Sequence, residues 1–147
     1  MMDINIRRIT ESDYLNWLAL WNAYLDFAGA VLEDGITEHT CQRIVSPHAP
    51  LLCWVAEVDE TLAGFAIAVL HEGAWVKQPV CYLEDLFVAE HLRGSGAGRA
   101  ILEKIRIEAK NAGWSRVYWL TRENSHARHL YDKVATVGDF VRYTMKI

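Results

Sequence analysis

The sequence has no excess of basic residues. Lysine and arginine total 15, aspartate and glutamate total 19, and the formal net charge is −4. A nucleic-acid-binding domain usually concentrates positive charge on one face. The composition therefore argues against a nucleic-acid partner, and a mildly acidic surface suits a cationic one.

Paired cysteines are also missing. Cys41, Cys53 and Cys81 are scattered, and no two of them form a Cys-x-x-Cys pair. This odd count fits neither a disulfide framework nor a zinc site. Free thiols are typical of a reducing compartment, and the first eight residues lack the apolar run of a signal peptide. We therefore expect a cytoplasmic protein that uses no metal.

Long apolar runs and linkers are absent as well. The longest apolar run, residues 62–70, is interrupted by Gly64 and is too short to cross a bilayer, so we expect no membrane partner. No repeat or Pro/Gly/Ser-rich stretch divides the 147 residues, and 52% of them are hydrophobic. That apolar content supports a packed core, and we expect a single domain over residues 1–147.

The hydrophobic pattern predicts a mixed α/β sheet in the order β-α-α-β-β-β-α-β-α-β. Hairpins come first and strand–helix units follow, which implies both antiparallel and parallel strand pairs. The predicted strands are a first one around Ile4, Ile6 and Ile9, then residues 51–58, 62–70, 80–88, 116–120 and 140–147, and the predicted helices are residues 15–28, about 37–45, 97–112 and 124–134.

A glycine cluster separates the strand at 80–88 from the helix at 97–112. Unpaired N–H groups at a helix start attract anions, and glycine lets the backbone approach a phosphate closely. Flanking arginines add charge-assisted hydrogen bonds. The pattern predicts a phosphate site, with a simple tight turn as the alternative; its residues are Arg93, Gly94, Ser95, Gly96, Ala97, Gly98 and Arg99.

The spacing of this cluster excludes two other phosphate motifs. No Gly-Lys-Ser/Thr ending is present, so it is not a nucleoside triphosphate loop. The third glycine comes one residue too early for the dinucleotide fingerprint, and no acidic strand end follows from residue 113 onward.

Three segments, in order, resemble the GNAT superfamily of N-acetyltransferases. Arg93 to Gly98 fits the superfamily's pyrophosphate motif, Arg/Gln-x-x-Gly-x-Gly/Ala. Tyr82 to Val88 is similar to its fourth strand, and Asn124 to Tyr131 fits its motif Asn-x-x-Ala-x-x-Leu-Tyr. The likeness covers nearly the whole chain. Residues 17–27 and 118–133 look like the branch of histone/polyamine and spermidine/spermine-type acetyltransferases.

This resemblance implies a GNAT-type fold and an N-acetyltransferase with acetyl-CoA as co-substrate. The acceptor would be the primary amine of a polyamine, an amino acid or a lysine-bearing peptide, attacking directly in a ternary complex. Homodimers are common in the superfamily. The cofactor-binding residues implied are the main chain of Leu86, Phe87 and Val88, the loop from Arg93 to Arg99, and Asn124, which is also a candidate helix N-cap.

The predicted reaction needs a base and an acid. An alkylammonium has a pKa of about 10, so losing a proton at pH 7 costs roughly 4 kcal/mol. Glu84 matches by position the base of spermidine/spermine-type relatives, and Asp85 remains an alternative because other members of that branch carry an uncharged residue at the Glu84 position. Neighbouring strand residues face opposite sides, so only one of the two is expected to point into the cleft. Tyr131 occupies the position of the general acid, with a core tyrosine as the alternative. Cys81 has no base near it in sequence and is not expected to act as a nucleophile.

Aromatic and acidic residues before position 35 are candidates for the acceptor site. Rings attract cations, although any one ring in an amphipathic helix is also a core candidate. The candidates are Trp21, Tyr24, Asp26 and, in a later loop, Trp75. His126 and His129 lack the further ligands that a metal needs. The rival function is a non-catalytic acyl-CoA-binding module, against which the strand carboxylate and Tyr131 both argue.

Overall fold

The computed structural model describes residues 2–147, and Met1, which the predicted domain includes, lies outside the described residues. Five strands form one sheet in the order β1-β2-β3-β4-β5, antiparallel except for the last pair. The elements are β1 (Ile4–Arg8), α1 (Tyr14–Ala28), α2 (Ile36–Val45), β2 (Leu51–Val58), β3 (Thr61–His71), β4 (Val80–Val88), α3 (Ala97–Ala112), β5 (Arg116–Tyr118) and α4 (Arg128–Val134).

Local sequence signals explain the start and end of α1. The carboxylate of Asp13 accepts a hydrogen bond from the Thr10 backbone N–H at 2.8 Å, just before the helix. Gly29 ends it in the left-handed region with φ of 66°, which glycine adopts without steric cost. Trp17, Leu20 and Trp21 are buried on the face turned to the sheet. The predicted amphipathic helix is confirmed.

The predicted hairpin at residues 51–70 is also confirmed. β2 and β3 pair antiparallel around Asp59 and Glu60, which have φ of 50° and 66°. Two successive positive φ angles match the right-handed twist of the flanking strands. This hairpin places β3 in the centre of the sheet.

Helices cover both faces of the sheet. On one face, α1 and α2 pack on Val55, Phe65 and Phe87. On the other face, Ile101 and Ile105 of α3 pack against a second cluster, which Leu130 and Tyr131 of α4 join at its margin. β4 thus contributes Phe87 to the first cluster and Cys81 and Leu83 to the second. The other buried members of the second cluster are Trp54, Ala56, Ala66, Ala68 and Leu102.

β4 and β5 pair along only a short stretch. Their parallel register joins Val80 to Arg116 and Tyr82 to Tyr118, and within residues 2–147 it extends no further. β5 ends at Tyr118, before the predicted residue 120, where its pairing with β4 stops. From residue 83 onward, β4 has no strand beside it on the β5 side in the described chain.

Two predicted elements differ from the structure near the C-terminus. α4 begins at Arg128 rather than at residue 124, so Asn124 lies in a preceding turn and is not the helix N-cap. The predicted strand at residues 140–147 is not formed, and these residues are exposed. A strand needs a neighbour to pair its backbone, and this segment has none within its own chain.

Candidate active site

A β-bulge in β4 separates the two adjacent carboxylates. Ile67 of β3 pairs with Asp85, whereas Ala68 pairs with Leu83, so the register skips Glu84. Such a bulge redirects the side chains around it. Asp85 is turned towards α1 and is half-buried, and Glu84 is exposed.

Asp85 forms a hydrogen-bonded pair with a residue from the opposite layer. The Tyr24 hydroxyl, on α1, donates to Oδ1 of Asp85 at 2.7 Å. Burial raises the pKa of Asp85 to about 6, helped by the charge of Glu84, and the hydrogen bond from Tyr24 partly opposes this rise. Asp85 is therefore mostly ionised at neutral pH, and its carboxylate is a stronger base than that of an ordinary aspartate.

The phenol of Tyr24 belongs to an aromatic cluster. Its ring centroid lies 5.7 Å from that of Phe65, 5.6 Å from that of Phe87 and 5.9 Å from that of Trp21. Burial raises the pKa of Tyr24, and the carboxylates of Asp85 and Glu84 add to the rise. Tyr24 therefore stays protonated and can donate its hydrogen bond to Asp85 throughout the physiological range.

Trp21, a candidate for the acceptor site, lies in the core. Its ring stacks on Trp17 with centroids 5.2 Å apart, and its Nε1–H donates to the Thr37 hydroxyl at 3.0 Å. It is 6% exposed, since the face of α1 that carries it is pressed onto the sheet. Trp21 therefore packs against Tyr24 and offers no free ring to a ligand.

Tyr131 lies on α4 at the margin of the α3-side core. Its ring packs edge-on against Trp119, with centroids 5.4 Å apart, and burial raises the pKa of its phenol. The phenol of Tyr131 therefore keeps its proton at neutral pH.

The glycine cluster forms a tight loop at the start of α3. Gly94 and Gly96 have φ of 80° and 94°, and Gly96 precedes the first residue of the helix. The first turn of α3 contains no acidic side chain. The N–H groups of Ser95 and Ala97 already donate within the loop, so the remaining amides at the start of α3 and the helix dipole suit an anion.

The two arginines of the loop point in different directions. The Arg93 guanidinium lies over the rings of Phe27 and Phe87, at 4.7 and 5.6 Å from their centroids, and its Nε donates to the Val88 carbonyl at 3.1 Å. Arg99 instead faces a groove between α3 and α4. Arg93 is thus held at the end of β4 with its terminal nitrogens outward.

The remaining sequence candidates lie at the surface. Asp26 is exposed on α1, Asn124 lies in the turn before α4, and Trp75 is 98% exposed in the loop before β4. None of them forms a side-chain hydrogen bond or ion pair within residues 2–147. The structure therefore joins Tyr24 to Asp85 by a hydrogen bond but gives these three residues no such partner.

In the described residues, the cysteine and histidine side chains are not arranged for nucleophilic or metal chemistry. Cys81 is fully buried, and this burial raises the pKa of its thiol to about 11. Across the described residues, no three His, Cys, Asp or Glu side chains gather as a metal site would require. His126 and His129 have ring centroids 4.9 Å apart without a third partner.

No helix in residues 2–147 is long and apolar enough to traverse a membrane.

The Tyr24–Asp85 pair was not predicted as a pair. The sequence points to both residues, but it predicts Tyr24 at the acceptor site and favours Glu84 as the base. The two lie 61 positions apart, and their contact depends on how α1 crosses the sheet and on the bulge at Glu84. No local pattern carries that information.

Residues 16–135 match the sequence profile of the Acetyltransferase (GNAT) family. The chain is also 34% identical over 143 residues to the D-amino-acid N-acetyltransferase HPA3 of Saccharomyces cerevisiae, covering 95% of this chain and 89% of that protein.

Solved structures share this fold at low sequence identity. The ribosomal-protein-alanine N-acetyltransferase of Brucella melitensis biovar Abortus 2308 superimposes with a TM-score of 0.81 at 19% identity, covering 99% of this chain and 100% of that one. AAC(6′)-Iy, solved with the bisubstrate analog CoA-S-monomethyl-acetylneamine, gives a TM-score of 0.82 at 19% identity and covers 99% of both chains. The predicted GNAT-type mixed sheet is confirmed.

Proposed function

Because this chain belongs to the GNAT acetyltransferase family and is an acetyl-CoA-dependent N-acetyltransferase, we propose that its acceptor is the amino group of a free amino acid. The likeness to a D-amino-acid N-acetyltransferase, at 34% identity over 95% of the chain, supports this acceptor class. The observation that carries the proposed chemistry is the hydrogen bond between Tyr24 and Asp85 on β4.

The residues of the loop and of β4 fit acetyl-CoA. When bound, acetyl-CoA supplies an acetyl group activated as a thioester. The positive φ angles of Gly94 and Gly96 and the amides of Gly96, Gly98 and Arg99 suit its diphosphate. The edge of β4 at residues 86–88, where the Val88 carbonyl accepts from Arg93 Nε, has no strand beside it and suits the amide groups of its pantetheine arm, which would pair like an added strand. Arg93, Arg99 and Asn124 are proposed to add polar contacts.

Asp85 is proposed as the base that takes the proton from the acceptor ammonium. A carboxyl with a pKa of about 6 narrows the gap to an ammonium by roughly two pH units compared with an ordinary aspartate. Glu84, which the family resemblance favours by position, is exposed beside the bulge. Its charge raises the pKa of Asp85, so Glu84 is proposed to tune the base electrostatically.

Tyr131 is proposed as the acid that protonates the departing thiolate. Its burial keeps the phenol neutral, so a proton is available at physiological pH. Tyr131 joins the α3-side cluster, whereas Asp85 is turned towards α1. The proposed base and acid would thus act from opposite sides of β4, which suits direct attack in a ternary complex.

The acceptor is proposed to enter from the α1 side. Tyr24 would hold Asp85 in position there, and Asp26 and Trp75 remain candidates for outer contacts because both side chains are exposed. We further propose that residues 1–147 form a single domain that works as a metal-free homodimer in the cytoplasm, without nucleic-acid or membrane partners. The three free thiols support a reducing compartment.

An acetylation screen tests the acceptor class. Thiol release from acetyl-CoA is followed with matched D- and L-amino acids, polyamines, aminoglycosides and basic peptides. We expect amino acids to give the highest kcat/KM, by at least about tenfold. A preference for polyamines or peptides contradicts the proposed acceptor. CoA binding without turnover of any amine would instead support the acyl-CoA-binding module.

A further inference from the structure

Three neighbouring strands place a polar and aromatic patch on the sheet face that carries Asp85. Leu70, Cys81 and Val117 pack in the α3-side core. Successive residues of a strand point to opposite faces, so the chain neighbours of these three face the α1 side. The neighbours are His71 on β3, Tyr82 on β4, and Arg116 and Tyr118 on β5, which we name the β4–β5 patch.

The bulge in β4 brings this patch next to Asp85. Tyr82 pairs with Val69 of β3, whereas Asp85 pairs with Ile67. Because these two partners are two residues apart, Tyr82 and Asp85 hold successive positions on one face, about 7 Å apart. Tyr82 and Tyr118 are half-buried, and neither packs in the core under α1 and α2. The patch is therefore the surface that adjoins Asp85 along β4.

The two tyrosines of the patch are held in a fixed arrangement. Their rings stack with centroids 4.9 Å apart and planes at 17°. The Tyr118 hydroxyl is 3.0 Å from Nε2 of His71, whose Nδ1 is 2.8 Å from the Glu72 carbonyl. A carbonyl only accepts, so in the neutral imidazole Nδ1 carries the hydrogen and Nε2 accepts from Tyr118. Tyr118 is thus fixed through both its ring and its hydroxyl.

Arg116 brings an unpaired positive charge to this patch. Its Cζ atom lies over the Tyr118 ring, 5.9 Å from the centroid, within the range of a cation–π contact. Within residues 2–147 its exposed side chain forms neither an ion pair nor a hydrogen bond. The other end of the patch adjoins the carboxylates of Asp85 and Glu84. The surface therefore has an acidic end and a basic end, with two rings between them.

The separation of the two ends fits a free amino acid. Val80, which pairs with Arg116, is two same-face positions from Asp85, or roughly 13 Å. The guanidinium leans back from there onto Tyr118, which is level with Tyr82 and one position from Asp85.

An amino acid that bridges a carboxylate and a guanidinium spans roughly 9 Å. Two hydrogen bonds of about 2.9 Å and about 3 Å between its own charged atoms make up that length. This value lies between one and two same-face positions of the strand. A polyamine would instead place a second cation against Arg116.

We propose that Arg116 binds the carboxylate of the acceptor amino acid while the amino group lies at Asp85, and that Tyr118 positions the guanidinium. The inference rests on the proposed acceptor class and deepens it, since it assigns the residue that recognises the group all amino acids share. Arg116 lies away from the reacting atoms, so its loss should raise KM and leave kcat nearly unchanged.

The test compares alanine with alaninamide, which keeps the amino group and lacks the carboxylate, with both enantiomers of each. In Arg116→Gln we expect kcat/KM for alanine to fall about 10–100-fold through KM, with kcat/KM for alaninamide unchanged. Arg116→Lys keeps the charge and should retain part of the preference for alanine. Arg106→Gln removes an exposed arginine of α3 as the matched control and should change neither acceptor.

Two substitutions at Tyr118 test its positioning role. Tyr118→Leu removes the ring under the guanidinium and should raise KM for alanine but not for alaninamide. Tyr118→Phe keeps the ring and should restore most of the affinity. Calorimetry with CoA reports whether each variant remains folded.

The failures are distinguishable from one another. An unchanged preference for alanine in Arg116→Gln, or an equal loss for alanine and alaninamide, would overturn the role of Arg116 while amino-acid acetylation by the parent chain stands. A parent chain that acetylates polyamines but neither alanine nor alaninamide would overturn this inference and the proposed acceptor class together.

Discussion

The Tyr24 hydroxyl and the Asp85 carboxylate are 2.7 Å apart and join α1 to β4 across the α1-side core. The pair lies just beyond the bulge that skips Glu84. Burial raises the pKa of Asp85 to about 6, and Tyr24 limits that rise. The pH range over which Asp85 can accept a proton is therefore set by both residues.

Replacing Tyr24 with phenylalanine should move the acidic limb of the pH profile. The hydrogen bond from Tyr24 favours the charged form of Asp85, so its removal raises the pKa of the carboxyl further. We expect the acidic midpoint of kcat/KM to move upward by about one pH unit. Tyr14→Phe, on the same helix, is the matched control and should leave the midpoint unchanged. A downward movement in Tyr24→Phe would contradict the assigned sign.

Replacing Tyr131 with phenylalanine should separate chemistry from cofactor binding. The change removes the proposed proton donor while keeping the ring against Trp119. We expect kcat to fall by about 10²–10³, with the dissociation constant of CoA by calorimetry nearly unchanged. Unchanged kcat would show that another group, or water, protonates the thiolate.

Two glycines at opposite ends of α3 test the phosphate loop. Gly96 has φ of 94° and Gly113 has φ of 74°, and alanine at either position is strained by about 1–2 kcal/mol. An added Cβ meets at most one atom, 4.0 Å away at Gly96 and nothing within 4 Å at Gly113, so neither change creates a clash. Thermal unfolding should report a similar loss of stability in both.

Only the substitution at Gly96 should affect the cofactor. Gly96→Ala is expected to weaken CoA binding by at least about tenfold, since a shift of the loop amides costs diphosphate contacts. Gly113→Ala should bind CoA like the parent chain. Equal affinities in the two variants would remove the loop from the binding site.

The folded state should lose stability in acid because Asp13, whose carboxylate lies outside the proposed active site, becomes protonated. The Arg7 guanidinium, with hydrogen bonds of 2.7 and 2.8 Å, lowers the pKa of Asp13 to about 2, aided by the backbone N–H of Thr10. A lowered pKa stabilises the fold above the ordinary value of about 4, and this contribution is lost as pH falls towards 2.

Asp13→Asn should therefore cost about 2 kcal/mol at pH 7 and much less at pH 2. Urea unfolding at the two pH values measures the difference. Glu103→Gln, which breaks only the exposed pair with Arg106, is the control and should leave stability unchanged. An equal loss in Asp13→Asn at both pH values would place its effect outside the ion pair.

Elements specified by local chemistry were predicted closely from sequence. α3 was expected at residues 97–112 and is observed there, because the glycines at 94 and 96 start it and Gly113 ends it. The hairpin at Asp59 and Glu60 and the closing of α1 at Gly29 follow the same logic. In each case the residues that determine the structure are neighbours in the chain.

Features that depend on distant partners were not predicted. Strict alternation along β4 places Glu84 and Asp85 on opposite faces, but the bulge, which arises from pairing with β3, decides that Asp85 meets Tyr24. The pattern of residues 140–147 predicts a strand, yet the segment forms none, because no strand of the described chain lies beside it to pair its backbone. Trp21 was a candidate for the acceptor site for a similar reason, because the helical pattern does not show that α1 packs this ring onto the sheet.

Asp85 is proposed to accept the proton of the acceptor amine with a pKa of about 6. The most direct test is the pH dependence of kcat/KM for the parent chain, Asp85→Asn and the control Asp139→Asn, whose side chain is exposed and has no proposed role. We expect an acidic limb near pH 6 in the parent chain and in Asp139→Asn. Asp85→Asn should lose that limb and about 10²–10⁴ in rate while staying folded. An unchanged limb and rate in Asp85→Asn would show that Asp85 is not the base.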